Sequence, residues 1–543
     1  MIKGSMLWDD SITQNMENTV FNGIPVLSYT DMPDSLYHAL KLSAERYPDK
    51  ILFCDNWERS YTYREFLTMT DRMAWWLKNE LQVTKGKHLG LLLHNSIEFA
   101  AAFFAAVKLG AVTVPFPTKY KETEVAPLIL RADLEVLIYS ETFEDWMKPY
   151  EEAGIRLLKT ENEETGFGFR HLLQRDFCEE EGVGDGNLTD EVIIMFTSGT
   201  TSQSKGVILR NYNVMNAVTI YHKILGVTPQ DKTIIPVPVY HITGMVALLG
   251  LFVYTGGTVY LYKRYDAVRI LDCIRQNGIT FMHGAPTVYS LMLEHKRDYP
   301  ELTSLRILAC GGSYMPTEKL RELHKWLPQA KIQVVYGMTE TSSPGIIFPG
   351  DAPTSIFAGA AGKPVPGLEL KILDEKGKEQ EYLKTGEVWI RGNVVTGGYY
   401  KLDTKLIDSE HWLNTGDMGY LNEEGYVYIV DRKKDMINRG GEKIWCTDVE
   451  EELMKLPFIR DAAVVGIRDI LYGEAAAAAV VISGGQKVRE EDIKKALEPK
   501  MARFKIPVKY LFLEGIPKTP GMKTDKKILR KMLEENDERE DIL

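Results

Sequence analysis

Thr197-Ser198-Gly199-Thr200-Thr201-Ser202-Gln203-Ser204-Lys205-Gly206 begins where the apolar run Val192-Ile193-Ile194-Met195-Phe196 ends. Small residues at a strand end let backbone N–H groups approach phosphate oxygens, hydroxyls add donors, and Lys205 brings a mobile positive charge. The decapeptide therefore reads as a polyanion-binding loop. It is not the P-loop of common NTPases, because no glycine immediately precedes Lys205. A flexible loop between strands is the competing explanation.

Outward from this loop the chain alternates apolar strands with amphipathic helices. Leu89-Gly90-Leu91-Leu92-Leu93, a helix capped by Ser96 and ended at Gly110, and Ala111-Val112-Thr113-Val114 make a buried β-α-β unit. Glu191 to Phe196, the helical Asn213 to Leu225 and Thr233-Ile234-Ile235-Pro236 continue the pattern. The fold class is α/β. Gly182-Val183-Gly184 follows an acidic run rather than a strand, so it is no dinucleotide fingerprint. Ala475 to Ala479 reads as a buried strand leading into Val480-Val481-Ile482.

The 543 residues suffice for several domain-sized units. With 65 Lys/Arg against 76 Asp/Glu the chain is acidic, which argues against nucleic-acid or anionic-membrane partners. Cys54, Cys178, Cys273, Cys310 and Cys446 are scattered, with no C-x-x-C, as expected in a reducing cytoplasm. The first ten residues turn acidic without the apolar core of a signal peptide. The longest apolar stretch, Phe99 to Pro115, is interrupted by Lys108 and Gly110, so no transmembrane segment is expected. Composition shifts near residue 431, and between Gly485 and Arg530 there are 13 Lys/Arg against 6 Asp/Glu. A small basic C-terminal unit facing an acidic body could close over an anionic ligand; a solvated lysine-rich surface is the plainer explanation.

Three further motifs follow the decapeptide in order: Tyr336-Gly337-Met338-Thr339-Glu340, Trp412-Leu413-Asn414-Thr415-Gly416-Asp417 and Asp431-Arg432-Lys433-Lys434-Asp435. Together they resemble the adenylate-forming superfamily of acyl-CoA synthetases, amino-acid adenylation domains and beetle luciferases, from about Leu36 to about Lys527. The resemblance implies a large multi-subdomain α/β N-terminal domain, 1–433, and a small mobile α+β C-terminal domain, 434–543. It implies ATP, Mg²⁺ and coenzyme A as cofactors, and a carboxylic acid joined first to AMP and then to a thiol. Joining two anions demands cationic and hydrogen-bonding groups around the α-phosphate and the departing pyrophosphate.

By the same resemblance, Thr197, Ser198, Gly199, Thr200, Thr201 and Lys205 cradle phosphates, and Thr339 meets the α-phosphate. Glu340 helps hold Mg²⁺, the Tyr336 ring stacks on adenine with Gly337 beside it, and Gly312 of Gly311-Gly312-Ser313 lies by the nucleotide. Asp417 accepts from the ribose hydroxyls and Arg432 lies near that sugar. Pro517-Lys518-Thr519-Pro520-Gly521-Met522-Lys523 resembles the segment carrying the adenylation lysine, which makes Lys523 catalytic. Met522 intervenes where glycine is usual, and Ser202 and Ser204 stand where the family commonly has glycine and proline. Lys526 and Lys527 lie nearby, and the plainer explanation of Lys523 is one more solvated lysine.

The small domain is expected to rotate about Lys434. One orientation presents Lys523; the other presents Asn438-Arg439-Gly440-Gly441-Glu442 to an entering thiol, Gly440 and Gly441 leaving room for a pantetheine arm. A simple β-turn is the rival reading there. Thr447-Asp448-Val449-Glu450 reads as a capping box.

Pro236-Val237-Pro238-Val239-Tyr240-His241-Ile242-Thr243-Gly244 resembles the acyl-site motif, with His241 bordering the carboxylate. The segment offers no aspartate for a substrate ammonium, which argues against an amino acid. Gly337 stands where acetate-specific relatives carry tryptophan, so a longer acyl tunnel is expected. Phe281, Met282, Ala285, Val288, Tyr289, Ile346 and Ile347 are candidate lining or ordinary core. A medium- or long-chain, branched or aryl acid follows, with fatty-acid metabolism as the setting. Transfer to a carrier-protein phosphopantetheine, and a nucleotide-binding homologue without turnover, are the alternatives.

Overall fold

The computed structural model describes residues 1–55, 59–160, 186–197, 204–483, 487–519 and 523–540. Two large sheets with parallel centres dominate. The seven-stranded sheet runs Tyr399–Tyr400, Lys205–Arg210, Glu191–Thr197, Val112–Pro115, His88–Leu92, Leu134–Tyr139, Arg156–Lys159. The nine-stranded sheet carries Lys331–Tyr336, Ile307–Gly311, Phe281–Gly284 and Lys232–Ile235 as adjacent parallel strands.

The expected β-α-β unit is present. Ser96 caps the helix Ile97–Leu109 by accepting from Phe99 N, and Gly110 ends it with φ +65°. Phe99, Phe103 and Phe104 of this helix are fully buried, each contributing about 1.5–3 kcal/mol of apolar transfer. The helix packs on Leu36–Arg46 and Tyr63–Asn79.

An antiparallel sheet of Ile2–Lys3, Leu368–Leu373, Gly386–Gly392, Leu413–Leu421 and Val427–Arg432 completes the large domain. The chain then passes through the short turn Lys433–Asp435 into a separate C-terminal sheet. Its centre, Gly473–Ile482, shows why the alanine run is there. Ala476, Ala478 and Val480 face the cluster containing Val449 and Leu453, while Ala477, Ala479 and Val481 face Leu529 and Leu533. Small side chains on both faces let helices approach closely.

The capping box at Thr447 is not formed. The helix is Cys446–Met454, with Trp445 at its N-cap and no side-chain cap bond. Asp448 instead pairs with Lys505 at 3.0 Å, and Glu450 accepts from Val464 N at 2.8 Å. Tertiary partners outcompete the local bond because the helix lies on the C-terminal sheet. Among the described residues no helix is long and apolar enough to cross a membrane.

Candidate active site

Ligands of open α/β sheets bind beyond the carboxyl ends of the parallel strands, and the named residues gather there. Gly311 ends one strand and Gly312 follows it with φ +82°. Tyr336 ends the neighbouring strand, and the strand Lys232–Ile235 leads through Pro236 to His241. His241 precedes a wide π-helical stretch, Thr243–Gly250, in which Gly244 is required because a Cβ would lie 2.4 Å from Pro238 O.

The Tyr336 hydroxyl donates to Asp417 Oδ2 at 2.5 Å, and Arg432 Nε donates to Asp417 Oδ1 at 2.8 Å. Asp417 and Arg432 face each other across antiparallel strands. Burial, with Asp417 adding to it, pushes the Tyr336 phenol far above its ordinary value. Asp417 chiefly keeps the Arg432 guanidinium protonated.

A second group surrounds Glu340. Its Oε1 accepts from the Tyr399 hydroxyl at 3.2 Å, and Lys205 Nζ lies 5.8 Å from the centre of the Tyr399 ring. Thr339 Oγ1 lies 3.9 Å from Met195 Sδ at the end of the phosphate-loop strand. Thr197 and Lys205 are paired across the hairpin whose tip is the loop. Ser198, Gly199, Thr200, Thr201 and Ser202 lie outside the described residues, as does Met522. Ser204 is tied down, its carbonyl accepting from Arg131 Nη1 at 3.0 Å. Tyr399 carries no motif signal of its own; the pairing of Val207 with it and the bond from Thr396 N to Glu340 O at 2.8 Å bring its segment to Glu340.

Lys523 enters from the small domain. Thr519 N donates to Lys523 O at 2.7 Å, and Lys523 N to Thr519 Oγ1 at 3.3 Å, so a tight hairpin holds the base of the side chain. A Cβ built on Gly312 would stand 3.9 Å from Lys523 Cε. Lys523 is exposed to solvent at the edge of the small domain. Desolvation, with Arg432 adding to it, lowers its pKa, while Asp417 and Glu340 oppose the shift.

His241 Nε2 is buried and has no hydrogen-bond partner among the described residues. Burial first, then Lys523 and Lys119, push its pKa down to about 3, so the ring is neutral near pH 7. His283 was not singled out by any motif. It is 2% exposed, its Nδ1 is unpartnered among the described residues, and burial lowers its pKa to about 3.

Three expectations are revised by the geometry. A Cβ on Gly337 would fall 1.6 Å from Ser343 O, so the glycine is demanded by the turn and its lack of a side chain says nothing about tunnel length. Phe281 and Met282 are consecutive in one strand, as are Ile346 and Ile347, so each pair points to opposite faces and cannot all line one tunnel. Gly440 and Gly441 have φ of +61° and +96° in the turn joining Ile437–Arg439 to Glu442–Ile444; the β-turn alone accounts for both. Lys526, close to Lys523 in sequence, is held by two carboxylates. Its Nζ lies 3.8 Å from Glu450 Oε1 and 3.9 Å from Asp431 Oδ1. Although burial opposes it, Glu450, Cys446 and Asp431 raise its pKa.

Residues 40–400 match the AMP-binding enzyme family and residues 448–523 the AMP-binding enzyme C-terminal domain. The putative acyl-CoA synthetase YngI of Bacillus subtilis is 31% identical over 529 residues, covering 90% of this chain and 95% of that protein. The ATP-bound crystal structure of MatB from Rhodopseudomonas palustris superposes with a TM-score of 0.85 at 25% identity, covering 92% of this chain and 99% of that one. O-succinylbenzoate coenzyme A synthetase (MenE) from Bacillus subtilis, solved with ATP and magnesium, gives 0.78 at 28% identity over 91% and 99% of the two chains. The chain belongs to the AMP-binding enzyme family. Within it the chain is an AMP-forming acid–CoA ligase, a large α/β domain followed by a small C-terminal one.

Proposed function

We propose that the chain, as an acid–CoA ligase, converts a medium- or long-chain or aryl carboxylic acid to its CoA thioester, with domains divided as 1–433 and 434–543. The reading rests chiefly on Lys523 lying over Gly312 within electrostatic reach of Arg432, Asp417 and Glu340.

In the first step a carboxylate oxygen attacks the α-phosphorus of ATP and pyrophosphate leaves. Lys523 bridges the two anions and offsets their repulsion as the transition state forms. Asp417, held by Arg432 and Tyr336, accepts from the ribose hydroxyls and sets the sugar's position. The Tyr336 ring, anchored by its hydroxyl, offers a face to the adenine. Thr339 donates to the α-phosphate, and Thr197 to Thr201 with Lys205 hold the outgoing phosphates. His241, neutral, donates or accepts one hydrogen bond at the carboxylate and orients it. Among the described residues no cluster of three or more acidic, histidine or cysteine side chains could hold a metal. Glu340 would hold Mg²⁺, an ion that uses one or two carboxylates plus substrate phosphates. When bound, the ion neutralises charge on the phosphate oxygens. In the second step the CoA sulfur attacks the acyl carbon and AMP leaves with the bridging oxygen.

The larger acid is read from the apolar character of Phe281, Met282, Ile346 and Ile347, which are buried core here, and not from Gly337. A cytoplasmic setting fits the free thiols of Cys54, Cys273, Cys310 and Cys446. Cys178 lies outside the described residues.

The test is a panel of straight-chain, branched, aryl and amino acids incubated with ATP, Mg²⁺ and CoA, with AMP, pyrophosphate and acyl-CoA measured. Equimolar AMP and acyl-CoA from a medium, long or aryl acid is expected. ADP as product, or turnover confined to amino acids, would overturn the reading.

A further inference from the structure

Glu451 lies on the small-domain helix Cys446–Met454 but satisfies groups of the large domain. Its Oε1 accepts from Thr317 N at 3.0 Å and Thr317 Oγ1 at 3.3 Å, and also from the Tyr314 hydroxyl. Thr317 is the first residue of the helix Thr317–Trp326, whose N-cap is Pro316 and has no side-chain cap. The first-turn N–H groups of that helix need an acceptor, and a carboxylate also complements the helix dipole. The acceptor therefore comes from the other domain. Tyr314 is two residues beyond Gly312, so the gripped segment is the one that leaves the nucleotide-flanking strand end.

The neighbouring carboxylate on the same helix turns inward. Glu450 lies beside Lys526, which also reaches Asp431 on the last strand of the large domain. Asp431 Oδ2 accepts from Cys446 N at 2.8 Å. Lys526 begins the helix Lys526–Glu540, immediately after the hairpin that bears Lys523. Two consecutive glutamates thus join the helix to the nucleotide-side segment and to the base of the lysine hairpin. Thr447 Oγ1, at the start of the same helix, also donates to Val430 O beside the linker, whereas the ion pairs Lys443 with Glu375 at 2.6 Å and Arg460 with Glu294 at 3.3 Å are exposed and contribute little.

We propose that Glu451 is a positioning residue for acyl-AMP formation: its bond to Tyr314 and Thr317 latches the small domain in the orientation that delivers Lys523. It touches no reacting atom. The latch must open before the thiol step, so it favours one half-reaction over the other. This rests on the two-step ligase reading.

The test compares wild type, Glu451→Ala and Glu451→Gln in three measurements. Acid-dependent pyrophosphate exchange reads adenylation, and thioester formation from supplied acyl-AMP and CoA reads the second step. Tryptic cleavage at the exposed Lys433–Lys434 link, without substrates, reads the latch independently of activity. Glu451→Ala should lower exchange by about tenfold, spare or speed thioester formation, and raise the cleavage rate by a similar factor. Glu451→Gln, which keeps an acceptor oxygen, should recover most of the exchange. Equal loss in both half-reactions at unchanged Tm, or cleavage and exchange both at wild-type rates in Glu451→Ala, would overturn the latch. If the wild type shows no exchange with any acid, the ligase reading fails, and the cleavage rates alone decide whether Glu451 holds the domains.

Discussion

The Tyr336 hydroxyl sits 2.5 Å from Asp417 Oδ2, so a single buried carboxylate joins the end of a parallel strand to the antiparallel sheet that carries Arg432. The ring and the carboxylate that would flank adenine and ribose are therefore set by each other before any nucleotide arrives. Such preorganisation lowers the entropy cost of binding.

Tyr336→Phe should consequently raise the KM for ATP while leaving the KM for the acid nearly unchanged. Removing one hydrogen bond to a charged group costs about 1.5–3 kcal/mol where it is buried. A smaller effect on ATP than on the acid would contradict the assignment. Asp417→Ala should be worse, since it strands Arg432 as well, and initial-rate kinetics at fixed CoA separates the two.

Lys523→Ala is expected to slow acyl-AMP formation by about 10²-fold or more while sparing conversion of supplied acyl-AMP. Lys527→Ala is the proper control, because Lys527 is exposed. Lys526 is unsuitable, being tied to Asp431 and Glu450. Single-turnover assays of each step decide it: parallel loss of both would remove Lys523 from the adenylation role.

Gly337→Ala should destabilise the fold rather than reshape specificity. Its Cβ would overlap Ser343 O at 1.6 Å, and backbone cannot give way as a side-chain tip can. Overpacking of this kind costs about 1–3 kcal/mol or more. Thermal denaturation should show a lower Tm, with the ratio of kcat/KM between long and short acids unchanged. A changed ratio at wild-type Tm would restore Gly337 as a size gate.

Much of this was readable before folding. Ser96 and Gly110 bracket a helix because a hydroxyl cap and a left-handed glycine are local devices. The ordered motifs located Tyr336, Asp417, Arg432 and Lys523 because each is carried by a short contiguous segment. Gly337 was misread because its constraint comes from Ser343, whose approach depends on how the turn closes. Thr447 does not cap because its hydroxyl donates to Val430 O and Glu450 accepts from Val464 N, both partners distant in sequence. Tyr399 and Glu451 were invisible for the same reason: their partners Glu340 and Tyr314 are distant in sequence, and no spacing rule links them.

The buried histidines make stability depend on pH. His241 and His283 have pKa values lowered to about 3, and His94 to about 4, burial being the main cause in each. Below the ordinary histidine value the unfolded chain binds protons that the folded chain refuses. Stability is therefore retained above about pH 6.5 and lost as pH falls toward 4, by up to about 1.4 kcal/mol per pH unit for the buried His283 ring and by less for the partly exposed His241 and His94. Urea midpoints between pH 7.5 and 5.5 should fall, and His283→Gln should flatten the slope. The rate profile should show no acid limb from His241 between pH 5.5 and 7.

The most direct test of the adenylate mechanism follows an oxygen atom. The preferred acid, labelled with ¹⁸O in its carboxylate, is converted to acyl-CoA with ATP and CoA, and the nucleotide product is analysed by mass spectrometry. The account predicts AMP carrying one labelled oxygen, since the carboxylate oxygen that attacks the α-phosphorus leaves with it. Unlabelled AMP, or label in inorganic phosphate alongside ADP, would contradict an acyl-AMP intermediate and with it the roles given to Lys523, Asp417 and Arg432.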